Sequence, residues 1–226
     1  MERVTRIGSE PHGLSDAGAF GAWKGVESLR PEELLRILSQ AARLKTTMRH
    51  CYTEEGRRES VADHSWRIAL IAMLMTGIEE YQDFDMDKVI RMCLIHDLGE
   101  SFTGDIPTFE KDSADEKVED DLFERWVDAF PEPQRAEWLG LLAEMKALET
   151  KEAKLYKALD KIVALIAHNE SDISTWLPLE YDLQLTYGQE NIRFSKYMME
   201  LRAEVDAWTR EKIESEGLSP MVGSFD

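Results

Sequence analysis

The chain has 226 residues, 43% of them hydrophobic and 32% charged, a composition typical of a soluble globular protein. Its 27 basic and 45 acidic residues give a net charge of −18, which argues against nucleic acid as a partner because few cations are spare to neutralise phosphates. The longest apolar run has 8 residues, far short of the roughly 20 that cross a bilayer. Residues 1–30 carry no secretion signal, so we expect a cytoplasmic protein without a membrane partner.

Helical periodicity starts at Pro31, a residue type suited to the first turn of a helix. The preceding residues 1–30 contain five of the 13 glycines and predict a flexible leader. The residues beyond Gly217 predict a short, frayed end. We therefore predict one domain over residues 31–213, flanked by the leader and by a tail over residues 214–226.

The apolar spacing predicts helices along most of the chain. In order they cover about residues 31–47, 61–80, 87–98, 118–130, 138–145, 155–167 and 192–208. Ser60 lies three residues before Asp63, a capping-box spacing that starts the second helix. Residues 49–59 and 99–115 lack an apolar period and are predicted to be loops. Alternating strand patterns are absent, so the predicted fold class is all-α, a single helical bundle.

Three of these helices carry a polar residue on an apolar face, namely His64, His96 and Asp160, and Asp97 follows His96 directly. A single histidine in such a place is more often a hydrogen-bonded core residue than a ligand. An ionised aspartate in a helical core, however, is unstable unless it is paired or bound to a cation. If the three helices meet, two imidazoles and two carboxylates surround one point, and this ligand set suits a divalent transition metal.

Four short motifs follow one another along the chain: ESVADHS at 59–65, IHDLGE at 95–100, TGDIPT at 103–108 and ALDKI at 158–162. In order and spacing they resemble the HD-domain metal-dependent phosphohydrolases, over roughly residues 32–210. Within that family they look most like the 5′-deoxynucleotidase branch, which removes phosphate from deoxynucleoside 5′-monophosphates. The resemblance implies an HD-domain helical bundle with a central metal site, a small nucleotide as substrate and a homodimer.

The resemblance also implies roles for individual residues. His64, His96, Asp97 and Asp160 match the ligands of one divalent metal ion, which the ligand types leave open among Mn, Co, Fe, Ni and Zn. Glu100 matches the catalytic glutamate, and Arg49 matches a catalytic arginine that orients the phosphate. The residues matched to substrate binding are Arg49, His50, Asp97, Asp105, Ile106, Pro107, Thr108 and Asp160.

Plainer interpretations exist for several of these residues. Glu100 is also compatible with a solvated carboxylate at a helix end, and Asp105 and Thr108 with ordinary turn residues. Arg49 is compatible with a surface charge cluster built with the nearby glutamates Glu54, Glu55 and Glu59. We favour the functional interpretation of Arg49, because a phosphate needs local positive charge in an acidic protein.

Other functions on the same fold also fit the motifs in part. One is hydrolysis of another phosphate ester, namely a nucleoside triphosphate, a guanosine polyphosphate or a cyclic phosphodiester. Two-metal relatives place extra histidines between the His-Asp pair and the last aspartate, and none lies between Asp97 and Asp160 here. A non-catalytic helical metal-binding module is the alternative from another class, and the intact ligands together with Glu100 argue against it.

His50 generates a prediction about sugar selectivity, because it departs from the tryptophan that usually stands beside the phosphate arginine in the resembled branch. A large ring there excludes a ribose 2′-hydroxyl, whereas imidazole is smaller and can hydrogen-bond to it. We expect a weaker preference for dAMP over AMP than is usual in that branch, measured as the ratio of kcat/KM values. His50→Trp should strengthen it. A strong deoxy preference that the substitution leaves unchanged would assign selectivity to another residue.

Overall fold

The structure is a computed structural model that describes residues 29–54 and 56–217. Its helices are α1 (Pro31–Ala41), α2 (Val61–Leu74), α3 (Met86–Ile95), α4 (Glu100–Thr103), α5 (Ser113–Asp128), α6 (Gln134–Ala147), α7 (Lys151–Glu170), α8 (Glu180–Thr186), α9 (Gln189–Ile192) and α10 (Lys196–Ser215). The all-α class is confirmed. Residues 1–28 of the predicted leader and 218–226 of the predicted tail lie outside the described residues.

Side-chain caps explain where several of these helices begin. Pro31 occupies the first position of α1. The predicted capping box of α2 is present, with the Ser60 hydroxyl accepting from the Asp63 amide and the Asp63 carboxylate accepting from the Ser60 amide. Thr150 caps the central helix α7 with its hydroxyl alone, which accepts a bond from the amide of Ala153. Local sequence therefore positions the start of the helices that carry the predicted site.

The loop predicted over residues 49–59 is instead a β-hairpin, so that prediction is wrong. Strands β1 (Met48–Tyr52) and β2 (Arg58–Ser60) pair antiparallel, with Met48 opposite Ser60 and Tyr52 opposite Arg58. Gly56 in the connection has a φ of 79°, a left-handed conformation that glycine adopts at no steric cost. The strands were not recognisable because their side chains are mostly polar and half-buried, which removes the apolar alternation that marks an ordinary strand.

Helix boundaries around the site also differ from the predictions. The second helix ends at Leu74 rather than near residue 80, and two 3-10 turns follow, Met75–Gly77 and Glu79–Tyr81. The third helix ends at Ile95: the amide of His96 still bonds four residues back, to Met92, but the amides of Leu98 and Glu100 bond to carbonyls three residues back. The polar segment after Gly99 opens with the short helix α4 instead of a loop.

Helix α7 passes through the centre of the domain. Several of its apolar side chains are fully buried, namely Ala153, Leu155, Ala158, Leu159 and Val163. It packs against α2, α3, α6, α9, α10 and β1, so a polar residue in its middle is enclosed on several sides. Within the described part of the chain, no helix combines the length and the apolar character needed to cross a bilayer.

Arg202 on α10 is 3% exposed and connects α10 to the segment that contains α8. Its Nε donates to Asp206 Oδ1 at 2.6 Å and its Nη2 donates to the Gln184 carbonyl at 3.0 Å. Its Nη1 donates to the carbonyl of Tyr187. One buried guanidinium therefore satisfies two carbonyl groups at the end of α8 as well as a carboxylate.

We expect Arg202→Met to lower the free energy of unfolding by about 3 kcal/mol or more, because it strands a buried carboxylate and two carbonyl groups. Urea denaturation of the purified variant measures the change. The control is Arg193→Met, which removes an arginine from the exposed pair with Glu190 and should change stability by less than about 0.5 kcal/mol. Equal stability losses in the two variants would contradict the assignment.

Candidate metal centre and substrate pocket

The four predicted ligand residues lie together, although three helices supply them. His64 comes from the first half of α2, His96 and Asp97 follow α3, and Asp160 lies in the middle of α7. His64 Nε2 is 3.3 Å from Asp160 Oδ1 and 3.9 Å from Asp97 Oδ2. His96 Nε2 is 2.9 Å from Asp97 Oδ2 and 3.8 Å from Asp160 Oδ1. Two imidazoles and two carboxylates therefore face one point.

The donor set of this cluster fits a cation. His96 Nδ1 lies 2.9 Å from the carbonyl oxygen of Cys93 and must donate to it, so Nε2 of the neutral ring carries a lone pair. That lone pair faces carboxylate oxygens, an arrangement that only a proton or a cation between them stabilises. Among the described residues, His64 Nδ1 and His96 Nε2 are buried without a hydrogen-bond partner. One ligand atom each from His64, His96 and Asp160 lies within 4.8 Å of the others.

The electrostatics of the cluster keep its carboxylates ionised. Burial raises the pKa of Asp97, but His96 outweighs it and the pKa is lowered. Burial also opposes ionisation of Asp160. The positive charges of Lys157 and Lys161 outweigh burial, so the pKa of Asp160 is lowered as well. Burial, and then Arg49, lower the pKa of His64. Burial opposes protonation of His96, but Asp97 outweighs burial and the pKa of His96 is raised, so a bound cation would take the place of that proton. Ionised carboxylates and the neutral imidazole of His64 are the protonation states that metal ligation requires.

Glu100 opens α4 and is 5% exposed, so it is not a solvated carboxylate at a helix end. Burial raises its pKa to about 10, with further contributions from the nearby carboxylates of Asp97, Asp105 and Glu119. Its Oε2 is buried and has no hydrogen-bond partner within the described part of the chain. A carboxyl group with an elevated pKa and a free oxygen is equipped to exchange a proton with a neighbouring molecule.

Arg49 projects from β1 into the same region. Its Nε donates to Glu59 Oε2 at 3.1 Å, and its Nη1 is 3.8 Å from Asp97 Oδ2 and 3.9 Å from Asp105 Oδ1. The side chain is 16% exposed. Pairing with a neighbouring glutamate does occur, as the plainer interpretation expected, but inside a pocket rather than in a surface cluster.

One pocket opens on this cluster, and all of the residues matched to substrate binding line it. They are Arg49, His50, Asp97, Asp105, Ile106, Pro107, Thr108 and Asp160, and Glu100 lines it too. His64 and His96 do not line this pocket; His96 lines a second one behind the cluster, together with Asp97 and Tyr156. Of the four cluster residues, Asp97 and Asp160 thus line the substrate pocket, whereas the two histidines do not.

Sequence reasoning missed three lysines in the pocket wall, Lys111, Lys157 and Lys161. Lys157 Nζ is 3.0 Å and Lys161 Nζ 3.3 Å from Asp160 Oδ2, the oxygen that does not face the imidazoles. Asp160 raises the pKa of Lys157, so this lysine keeps its charge. The position of Lys157, three residues before a buried aspartate on a helix, was the available signal, whereas the adjacent position of Lys161 gave none.

Tyr187, which sequence reasoning also missed, contacts the pocket segment that contains Thr108. Lys161 Nζ donates to Tyr187 Oη at 2.7 Å and lies 4.8 Å from the centre of that ring. Tyr187 Oη is in turn 3.1 Å from Thr108 Oγ1. A chain of contacts therefore connects the aspartate of the cluster to the segment predicted to bind substrate.

The family model described as HD domain matches residues 41–202 of the chain. The chain belongs to the HD-domain family. Its HD domain is 29% identical over 140 residues to the 5′-deoxynucleotidase HDDC2 of Homo sapiens, covering 61% of this chain and 66% of that protein. It is 31% identical over 134 residues to the HDDC2 of Xenopus laevis, covering 58% and 65%. The alignments thus span just under two thirds of these relatives.

A solved structure resembles this HD-domain protein over most of its length. It is a crystal structure titled as a predicted metal-dependent phosphohydrolase from Magnetospirillum magnetotacticum MS-1. The TM-score is 0.68 and the sequence identity 27%, over 85% of this chain and 100% of that one. The likeness and the cluster of His64, His96 and Asp160 both point to a divalent metal.

Proposed function

We propose that the protein is a metal-dependent phosphohydrolase that removes the 5′-phosphate from deoxynucleoside and nucleoside 5′-monophosphates. His64, His96, Asp97 and Asp160 would hold one divalent ion, with Mn, Co, Fe, Ni and Zn as candidates. The observation that carries the proposal is the meeting of this cluster with Arg49 and two lysines in one pocket of an acidic protein. The names of the relatives, 5′-deoxynucleotidases, support the substrate class.

The cationic side chains of the pocket would bind the phosphate. Arg49 offers two or more donors in a fixed plane, which suits two oxygens of one phosphate group. Lys157 and Lys161 add charge on the opposite side of the Asp160 carboxylate from the imidazoles. When bound, a divalent ion supplies further positive charge at the phosphate and lowers the pKa of an adjacent water.

Glu100 would carry the proton transfer. Its unpaired Oε2 and elevated pKa allow it to hold a proton near the reacting phosphate and exchange it with the attacking water or the leaving oxygen. Asp105 and Arg49, 3.9 Å apart, would keep the substrate segment against the phosphate site. A merely structural metal-binding module needs neither a proton-exchanging Glu100 nor an Arg49 that faces a phosphate, so these residues argue against it.

We propose that the protein is a cytoplasmic homodimer. An exposed apolar face of α2 supports the dimer. That face presents Trp66, Leu70, Met73 and Leu74, which recur at helical spacing and would be covered in a symmetric contact.

The experiment that tests the function is phosphate release from a panel of nucleoside 5′-monophosphates with each candidate metal. Release from deoxynucleoside monophosphates supports the proposal. Turnover confined to triphosphates, guanosine polyphosphates or cyclic diesters would replace it with one of the alternative esters, and no turnover of any ester would favour the binding module.

Metal content tests the ligand assignment separately. We expect about one divalent ion per chain in the purified protein and a loss of most of it in Asp160→Ala, because the carboxylate faces both imidazoles. The matched control is Asp63→Ala, next to His64, since the Asp63 carboxylate bonds Ser60 and Arg57 instead. Elemental analysis measures both. Full metal occupancy in Asp160→Ala would refute the site.

Glu100→Ala separates chemistry from metal binding. We expect turnover to fall by about 100-fold or more, the usual scale for losing a positioned acid or base, while metal content stays close to that of the unmodified protein. Phosphate release from dAMP and elemental analysis give the two readouts. An unchanged kcat would remove Glu100 from the mechanism, and metal loss would make it a ligand.

A further inference from the structure

A second polar cluster lies in the same pocket, and the proposed chemistry does not use it. Glu180, the first residue of α8, is 3% exposed and lies between two imidazoles from other elements. Its Oε1 is 2.9 Å from Nε2 of His168 on α7 and 3.3 Å from Nε2 of His50 on β1. Its Oε2 accepts the amide of Leu177 at 2.7 Å.

Glu180 determines how both rings are presented. Burial raises its pKa, but the bond from His168 and that from the Leu177 amide outweigh burial, and the pKa is lowered. The ionised carboxylate can only accept, so Nε2 of His168 donates to it, whereas Nε2 of His50 lies 3.3 Å away and is buried without a hydrogen-bond partner among the described residues. Nδ1 is then the free, hydrogen-bond-accepting position of the His168 imidazole.

Aromatic contacts fix the planes of the two rings. Phe109 lies edge-on to His50 with ring centres 5.4 Å apart, and Trp176 lies edge-on to His168 at 5.7 Å. A pair of rings held by one carboxylate and two aromatic neighbours is pre-organised, which lowers the entropy lost when a ligand binds.

The cluster lies at a defined distance from the proposed metal site. Asp160, Ala164 and His168 follow one another at steps of four on α7, and all three line the pocket. Eight residues of helix correspond to about 12 Å, comparable with the reach of a nucleoside 5′-monophosphate from phosphorus to base. The small side chain of Ala164 lies between the two ends, where a sugar would pass.

We propose that His50, Glu180 and His168 form the nucleoside-binding end of the pocket, an inference that rests on the proposed function. Glu180 is the positioning residue. Nδ1 of His168 accepts a hydrogen bond from the amino group of an amino-bearing base such as adenine, and the His50 imidazole contacts the sugar. The pocket thereby selects nucleosides that offer hydrogen-bond donors.

The test compares two competitive inhibitors, 2′-deoxyadenosine and purine 2′-deoxyriboside, which differ only in the amino group. Assays use the metal-loaded protein at pH 8. The unmodified protein should bind 2′-deoxyadenosine about tenfold more tightly, the size of one hydrogen bond. His168→Phe, which keeps a ring against Trp176, and Glu180→Gln should bring the ratio close to one, with inhibition by inorganic phosphate unchanged.

The control is Glu170→Gln, which alters a carboxylate on the same helix that pairs with Arg67 outside the pocket and should leave the ratio intact. The proposal would be overturned if the unmodified protein bound the two nucleosides equally well, or if His168→Phe preserved the difference in affinity. The cluster would then have only a structural role. If Glu180→Gln does not fold, His168→Phe decides alone. Calorimetric titration with the same nucleosides keeps the test valid if phosphate release fails, so the two failures are distinguishable.

Discussion

The carboxylate of Asp160 is the group on which the rest of the site depends. An ionised carboxylate in the middle of a central helix is costly to bury unless both oxygens have charged or donating partners. Oδ1 faces His64 and His96, whereas Oδ2 faces Lys157 and Lys161. The two histidines come from α2 and the end of α3, which pack against α7, and the same contacts assemble the candidate metal site.

Charge is distributed unevenly in this protein. The chain carries a net charge of −18, yet one arginine and three lysines line the pocket around the buried carboxylates. Surrounding the carboxylates with fixed cations lets a small anion approach a protein that repels long polyanions. The pocket therefore suits the small phosphate ester of the proposed function, in a protein whose net charge disfavours nucleic acid.

Helix α7 also relates the two ends of the pocket to each other. Residues four apart on a helix share a face, so Asp160 at one end and His168 at the other belong to one rigid element. The hairpin contributes Arg49 and His50 across from that face. Helix α7 and the hairpin thus line a slot, and the distance between its two ends is set by the rise of one helix, which favours discrimination between ligands by length.

The sequence by itself determined the all-α class, most helix positions and the four residues of the cluster, because apolar periodicity and polar residues within it are local properties. It also indicated Glu100 and Arg49 through motif spacing. Only the tertiary structure decided that residues 49–59 form a hairpin and that Lys157, Lys161 and Tyr187 line the pocket. It alone showed Glu180 between His50 and His168. Contacts between distant segments and the partner of each polar atom depend on packing, which no local sequence pattern records.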